Sequence, residues 1–341
     1  MSLSGHLYDE AASVAGRPRW ALSPSASRAE VIDQVLRDRL AGSLAYICEI
    51  GSLGDSRPLE RRVKTAVVSP WVFCLYSKLV SELARDARAQ SAEVFNAVTR
   101  AAVHPAAKGV VAFLAPNVDG AWWDHFSLLF DTDPKRPFKP RPCSTEHFAL
   151  CKEEIEEAFA LMQRADPAFH DEVRKLLRMI VLGAPESPNL DHLFNGASTF
   201  FLWGATLLNA DLRRTTVSLV DLLVHESSHV LLFGIAADSA LMHNSGEERY
   251  SSPLRADPRP IDGIFHACFV ATRVHLVMSR LLESGVLTAE QTEQALHRRD
   301  HNGNAARVSL GVLDKHARLT ELGENVLDTI RSYLEETKEP A

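Results

Sequence analysis

One polar insertion in an apolar run constrains this chain more than any other feature. The run is "LLVHESSHVLLFG", residues 222–234, and it places His225, Glu226 and His229 where a buried helix takes aliphatic side chains. Burying two imidazoles and a carboxylate without partners costs several kcal/mol. A metal ion removes that cost. The segment has HExxH spacing. On a helix, positions four apart share one face, about 6 Å apart along the axis. His225 and His229 can therefore converge on one ion, and Glu226, displaced around the helix, can reach a metal-bound water. Gly234 is expected to let the chain turn after the motif.

Two helical histidines do not complete a ligand set; zinc and non-haem iron each take a third protein ligand. The extended pattern HExxHxxGxxH is excluded, because Leu232 and Ile235 occupy its later positions. A second continuation needs a glutamate after 18 intervening residues, and Glu248 stands there. It lies in "HNSGEERYSSPLRADPRP", which is loop-like by its Gly, Ser and Pro content. The third candidate is His266, in "PIDGIFHACFVATRVHLVMSRLL", an apolar helical segment that begins at Pro260. His266 is the preferred third ligand, with Glu248 kept open. His275, nine residues further on, reads as a core histidine.

"YSSPLRADPRPIDG" (250–263) sets Arg255, Asp257 and Arg259 among three prolines. Proline stiffens the backbone, and a rigid arginine pair ahead of the His266 helix suits bidentate capture of a carboxylate. An ion pair between Asp257 and one arginine is the structural alternative. Taken together, "HESSH", "SPLRADPRPIDG" and "HACFVATRV" resemble the HExxH-motif family found beside genes for ribosomally made, modified peptides. The resemblance covers residues 215–280; Leu254 departs from it, standing where a tryptophan is expected before the first arginine. It implies Fe(II)- and α-ketoglutarate-dependent β-hydroxylation of a precursor peptide. His225, His229 and His266 would hold iron, and Arg255 or Arg259 would hold the co-substrate carboxylate. Glu226 would orient a ligand or the substrate. The alternative is a zinc metallopeptidase, in which Glu226 is the general base and Glu248 or His266 completes the zinc site.

The rest of the chain bounds this reading. Its 341 residues carry 37 basic and 44 acidic side chains, net −7, which excludes a basic nucleic-acid footprint and gives no general attraction to anionic membranes. Five cysteines, Cys48, Cys74, Cys143, Cys151 and Cys268, form no CxxC pair and read as free thiols. No signal-peptide core opens the sequence and no window approaches the roughly 18 apolar residues of a membrane span. A cytoplasmic protein of open oligomeric state is expected.

The fold class expected is mainly α with a small β component, with a zincin-like HExxH helix next to a short sheet. A mostly helical, peptide-recruiting region is expected over 1–140 and a metal-binding catalytic region over 141–341. Residues 1–26 read as a lead-in, with Ser27 capping a helix through Leu44. Helices are also expected over 70–90, 91–103, 144–165, 167–180, 259–283, 288–298 and 318–336, and strands over 108–116 and within 197–210. Residues 131–143 read as a loop. The Trp pair of "AWWDHF" reads as core more than as a peptide-docking surface, and Gly303 in "HRRDHNGN" as a helix break. A peptide could pair with a strand edge near 197–208.

Overall fold

The computed structural model describes residues 20–66, 68–102, 112–114, 120–131, 137, 139–186, 194–251 and 257–337. Among them the chain forms eleven α-helices and a five-stranded mixed sheet, so the expected class, mainly α with a small β component, is what is observed. Two compact units form, interleaved along the sequence. One comprises residues 1–31, 155–173 and 214–341, the other 32–154 and 174–213. Most of the lead-in, with Leu254 and Arg255, lies outside the described residues, as do residues 108–111, 115–116, 132–136 and 138.

The unit rich in N-terminal residues holds most of α1 (Ala26–Gly51), then α2 (Arg57–Thr65), α3 (Pro70–Ala84), α4 (Arg88–Ala101) and α5 (Gly120–Phe130). Ser25, not Ser27, accepts from the Arg28 amide at the start of α1. α3 ends at Ala84, and α4 begins at Arg88, earlier than the hydrophobic pattern indicated. The sheet comprises β1 (Ala112–Leu114), β2 (Pro140–Pro142), β3 (Met179–Pro185), β4 (Gly196–Ser198) and β5 (Ala205–Asn209). β3 runs parallel to β5 on one side. On the other side it pairs with parallel β1 along Met179–Val181 and antiparallel β2 along Gly183–Pro185. Antiparallel β4 borders β5.

Every residue of β3 and β5 is buried, and their near-continuous apolar runs are those of strands covered on both faces. That is why β3 escapes a periodicity reading: "RKLLRMI" continues the apolar spacing of a helix, yet the helix stops at Leu176 and the strand starts at Met179. Trp123 of α5 is core, tilted against Phe126, with its indole N–H donating to the Pro140 carbonyl.

The other unit holds the C-terminal part of α6 (Thr145–Ala165), most of α7 (Pro167–Leu176), and α8 (Thr216–Ile235), α9 (Ile261–Glu283), α10 (Ala289–His316) and α11 (Glu321–Glu336). Thr215 caps α8, accepting from the Ser218 amide. Gly234 is inside this helix, which runs on to Ile235, so the expected turn at that glycine does not occur there. α9 packs against α8, α10 and α11. By length and composition α8 and α9 could each cross a membrane. However, 72% and 78% of their apolar windows are buried inside the fold, as in core helices.

α10 is one helix of 28 residues, not a helix ending near residue 298. Gly303 is a packing position within it. A methyl group there would stand 2.7 Å from Cδ2 of His275 on α9, so only glycine lets the two helices approach. His275, with Nδ1 2.6 Å from the Tyr333 hydroxyl, is the core histidine expected. Burial first, then the Arg307 and Arg299 charges, lower its pKa to about 4. In the unfolded chain it titrates near 6.5. The neutral form therefore stabilises the fold fully above pH 6.5, and that contribution is lost as pH falls from 6.5 through about 4. Denaturant titrations should show a loss on the order of 3 kcal/mol across this window, reduced in His275→Gln.

Candidate metal centre

The HExxH residues sit in the middle of α8. Leu222, Leu223, Val224, Val230, Leu231 and Leu232 around them are buried. Two serines are tolerated in this apolar setting because both hydroxyls bond back to the Val224 carbonyl, Ser227 at 3.0 Å and Ser228 at 2.6 Å. Glu226 is buried, at 2% exposure. His225 and His229 are only half-buried, so the imidazole face of α8 keeps access to solvent while the glutamate does not. The rings of His225 and His229 lie 5.0 Å apart between centroids, as i, i+4 neighbours should.

α9 brings His266 to the same place. Its ring stacks on that of His229 at 5.5 Å, and the two Nδ1 atoms are 3.2 Å apart. Phe233, one turn beyond His229, closes the cluster by stacking on His229 and tilting against His266 at 5.1 Å. Loss of water around the His229 ring, then the neighbouring His225 and His266, hold its pKa well below the usual histidine range. Burial lowers His266 likewise, opposed by Asp262, whose carboxylate is 3.9 Å from Nε2. Both rings are thus kept neutral, the form that binds a metal.

The separation of one nitrogen pair is compatible with a shared ion. Two imidazole nitrogens at ordinary metal distance, subtending about 90–110° at the metal, are about 2.9–3.4 Å apart, which includes the observed 3.2 Å. The same distance also serves a hydrogen bond from one imidazole to the other. The rings are adjacent rather than converged: among the described residues no three His, Cys, Asp or Glu side chains form a metal-holding group.

Glu248 is engaged elsewhere. One carboxylate oxygen accepts from the Ser245 amide at 3.3 Å and Arg318 Nη2 at 2.9 Å. The other accepts from Asn244 at 3.2 Å and the Tyr250 hydroxyl at 2.5 Å. Those hydrogen bonds, Tyr250 first, hold its carboxyl below the usual glutamate range. Arg259 immediately precedes Pro260, the N-cap of α9. Its guanidinium lies along the first turn of that helix: a methyl on Gly263 would be 3.4 Å from Nε and 3.6 Å from Nη2. Gly263 and His266 are three apart and share a helix face. Asp257 is half-buried and described, whereas Arg255 is not.

Phe233 and Asp262 were not singled out from the sequence. Both sit four residues from a candidate ligand, the spacing that would have found them. Neither the family models nor the curated proteins contain a match to this chain.

Proposed function

We propose that this protein is a cytoplasmic iron- and α-ketoglutarate-dependent oxygenase that hydroxylates the β-carbon of a residue in a ribosomally synthesised precursor peptide. Its metal ligands are His225 and His229, on a zincin-like helix, and His266 from the helix packed against it. The observation carrying this reading is the gathering of three imidazoles from two helices, with two nitrogens 3.2 Å apart, while both oxygens of Glu248 are committed elsewhere. A bound ferrous ion would supply the redox chemistry, one oxygen atom of O₂ entering the peptide C–H bond and the other the succinate formed, with CO₂, from α-ketoglutarate.

The protein's own groups prepare that chemistry. Neutral imidazoles offer lone pairs without a proton to displace. Three neutral ligands leave room for the charge of a co-substrate, in contrast to the usual set of two histidines and a carboxylate. Arg259, or Arg255, pairs with the remote carboxylate of α-ketoglutarate through two parallel hydrogen bonds. Phe233 excludes water from one side of the ligand rings. Glu226, buried beside them, orients a ligand or the substrate. The five cysteines are buried thiols that form no disulfide, which suits a reducing compartment.

The competing reading, a zinc peptidase, draws on the position of Glu226 between the two histidines, where a general base acts. Glu226→Gln separates the two. In the oxygenase it is expected to lower α-ketoglutarate-dependent succinate formation by about 10–100-fold at most, with the metal retained. Peptide hydrolysis that needs zinc and disappears in this variant, with no succinate from the wild type, would establish the peptidase instead.

A further inference from the structure

Glu248, the rival third ligand, has a different task. We infer that Asn244, Glu248, Tyr250, His316 and Arg318 form a clamp that sets the position of Arg259, and through it the affinity for α-ketoglutarate. The inference rests on the oxygenase reading and adds positioning residues to it.

The geometry runs from the helix ends to the arginine. The segment after α8 is stitched to the α10–α11 connection: the His243 amide donates to the Arg318 carbonyl, and the Arg318 amide to Asn244 Oδ1. Asn244 Nδ2 reaches the His316 carbonyl at 3.0 Å. On this base stands Glu248, joined to Arg318, Asn244 and Tyr250. The Tyr250 ring packs against His316, with centroids 4.8 Å apart. Tyr250 and Arg259 then exchange both backbone hydrogen bonds, each 2.8 Å, in an isolated antiparallel bridge. Arg259 therefore has its backbone fixed on one side by Tyr250 and on the other by the start of α9, with its guanidinium against Gly263.

A surface ion pair such as Glu248–Arg318 adds little to global stability by itself. A network that fixes a charged side chain acts instead on ligand affinity, because small displacements of a carboxylate clamp weaken both of its hydrogen bonds together. The clamp also explains four polar groups gathered around one carboxylate in a loop that carries no catalytic chemistry of its own.

The test uses the full chain with two variants, Glu248→Ala and Arg318→Met; the latter removes a side chain that cannot be a metal ligand. Fe(II) affinity is measured by competition with a chromogenic chelator, and α-ketoglutarate affinity by anaerobic calorimetry on the Fe(II)-loaded protein. Hydrogen exchange at the Tyr250 and Arg259 amides is followed in the metal-free protein. Both variants are expected to weaken α-ketoglutarate binding about tenfold, to leave Fe(II) affinity within about twofold, and to speed exchange at the two amides. Glu248→Gln, which keeps an acceptor oxygen, should recover part of the loss. Unchanged α-ketoglutarate affinity in both variants would overturn the clamp and leave the oxygenase reading standing. Loss of metal in Glu248→Ala but not in Arg318→Met would overturn it in favour of Glu248 as a ligand. A wild-type protein that holds Fe(II) but does not bind α-ketoglutarate would remove the reading on which the clamp rests.

Discussion

His229→Leu is expected to make the metal-free protein more stable while it abolishes metal binding. His229 sits between His225 and His266, and its pKa is held well below the histidine range. His229 is half-buried, and its Nδ1 lies 3.2 Å from the His266 imidazole. Leucine is of similar volume and brings no polar group. The gain should be up to about 1 kcal/mol, the cost of a half-buried and imperfectly satisfied polar group. Thermal unfolding with and without Fe(II) measures both halves: Fe(II) should raise the transition of the wild type by mass action and leave that of the variant unmoved. A histidine kept only for packing would give the reverse, a less stable variant and no dependence on metal in either protein.

The second large effect concerns a buried ion network behind the same helices. Arg273, on α9 two turns beyond His266, is fully buried. It donates Nε to Ser228 Oγ at 3.0 Å, Nη1 to the Leu22 carbonyl at 2.8 Å, and Nη2 to Glu172. Arg28 holds the other oxygen of Glu172 at 2.5 Å, and the Ser25 amide donates to that oxygen at 3.1 Å. Burial alone would raise the Glu172 pKa, but Arg273 and Arg28 outweigh it and keep the carboxylate ionised. Arg273→Ala leaves Glu172 paired with Arg28 alone, strips the donor from its second oxygen and from the Leu22 carbonyl and Ser228, and opens a cavity in the interior. The expected cost is about 3–5 kcal/mol. The triple variant Arg28→Met, Arg273→Met, Glu172→Gln should recover much of it, because a buried set of charges is worth little against its neutral replacement, whereas neutralising Glu172 alone strands Arg28. Urea titration of the wild type, Arg273→Ala and the triple variant checks this; a triple variant no more stable than Arg273→Ala would contradict the coupling.

The HExxH motif is legible because its pattern is local. Two histidines and a glutamate within five residues, in an apolar helix, can be read without a fold. His266 is singled out as a polar residue among Ile264, Phe265 and Phe269, all three buried here, and it is preferred to Glu248 although Glu248 is the one at a motif spacing. The Glu172 network was not legible. Its partners are 101 and 144 residues apart in sequence, and nothing near Glu172 marks it as buried. Gly303 misled for the opposite reason: glycine is a poor helix former, and tertiary packing against His275 overrides that preference. β3 was absorbed into the preceding helix because a fully buried strand has no alternation to show.

The most direct test of the central claim is an anaerobic titration of the Fe(II)-loaded protein with α-ketoglutarate, followed by visible absorption. Chelation of ferrous iron by the keto acid gives a weak charge-transfer band. The account predicts that the band appears in the wild type, is absent in His266→Ala, and needs more α-ketoglutarate in Arg259→Ala or Arg255→Ala. No band from a protein that holds iron through its histidines, or an unchanged band in His266→Ala, would contradict it.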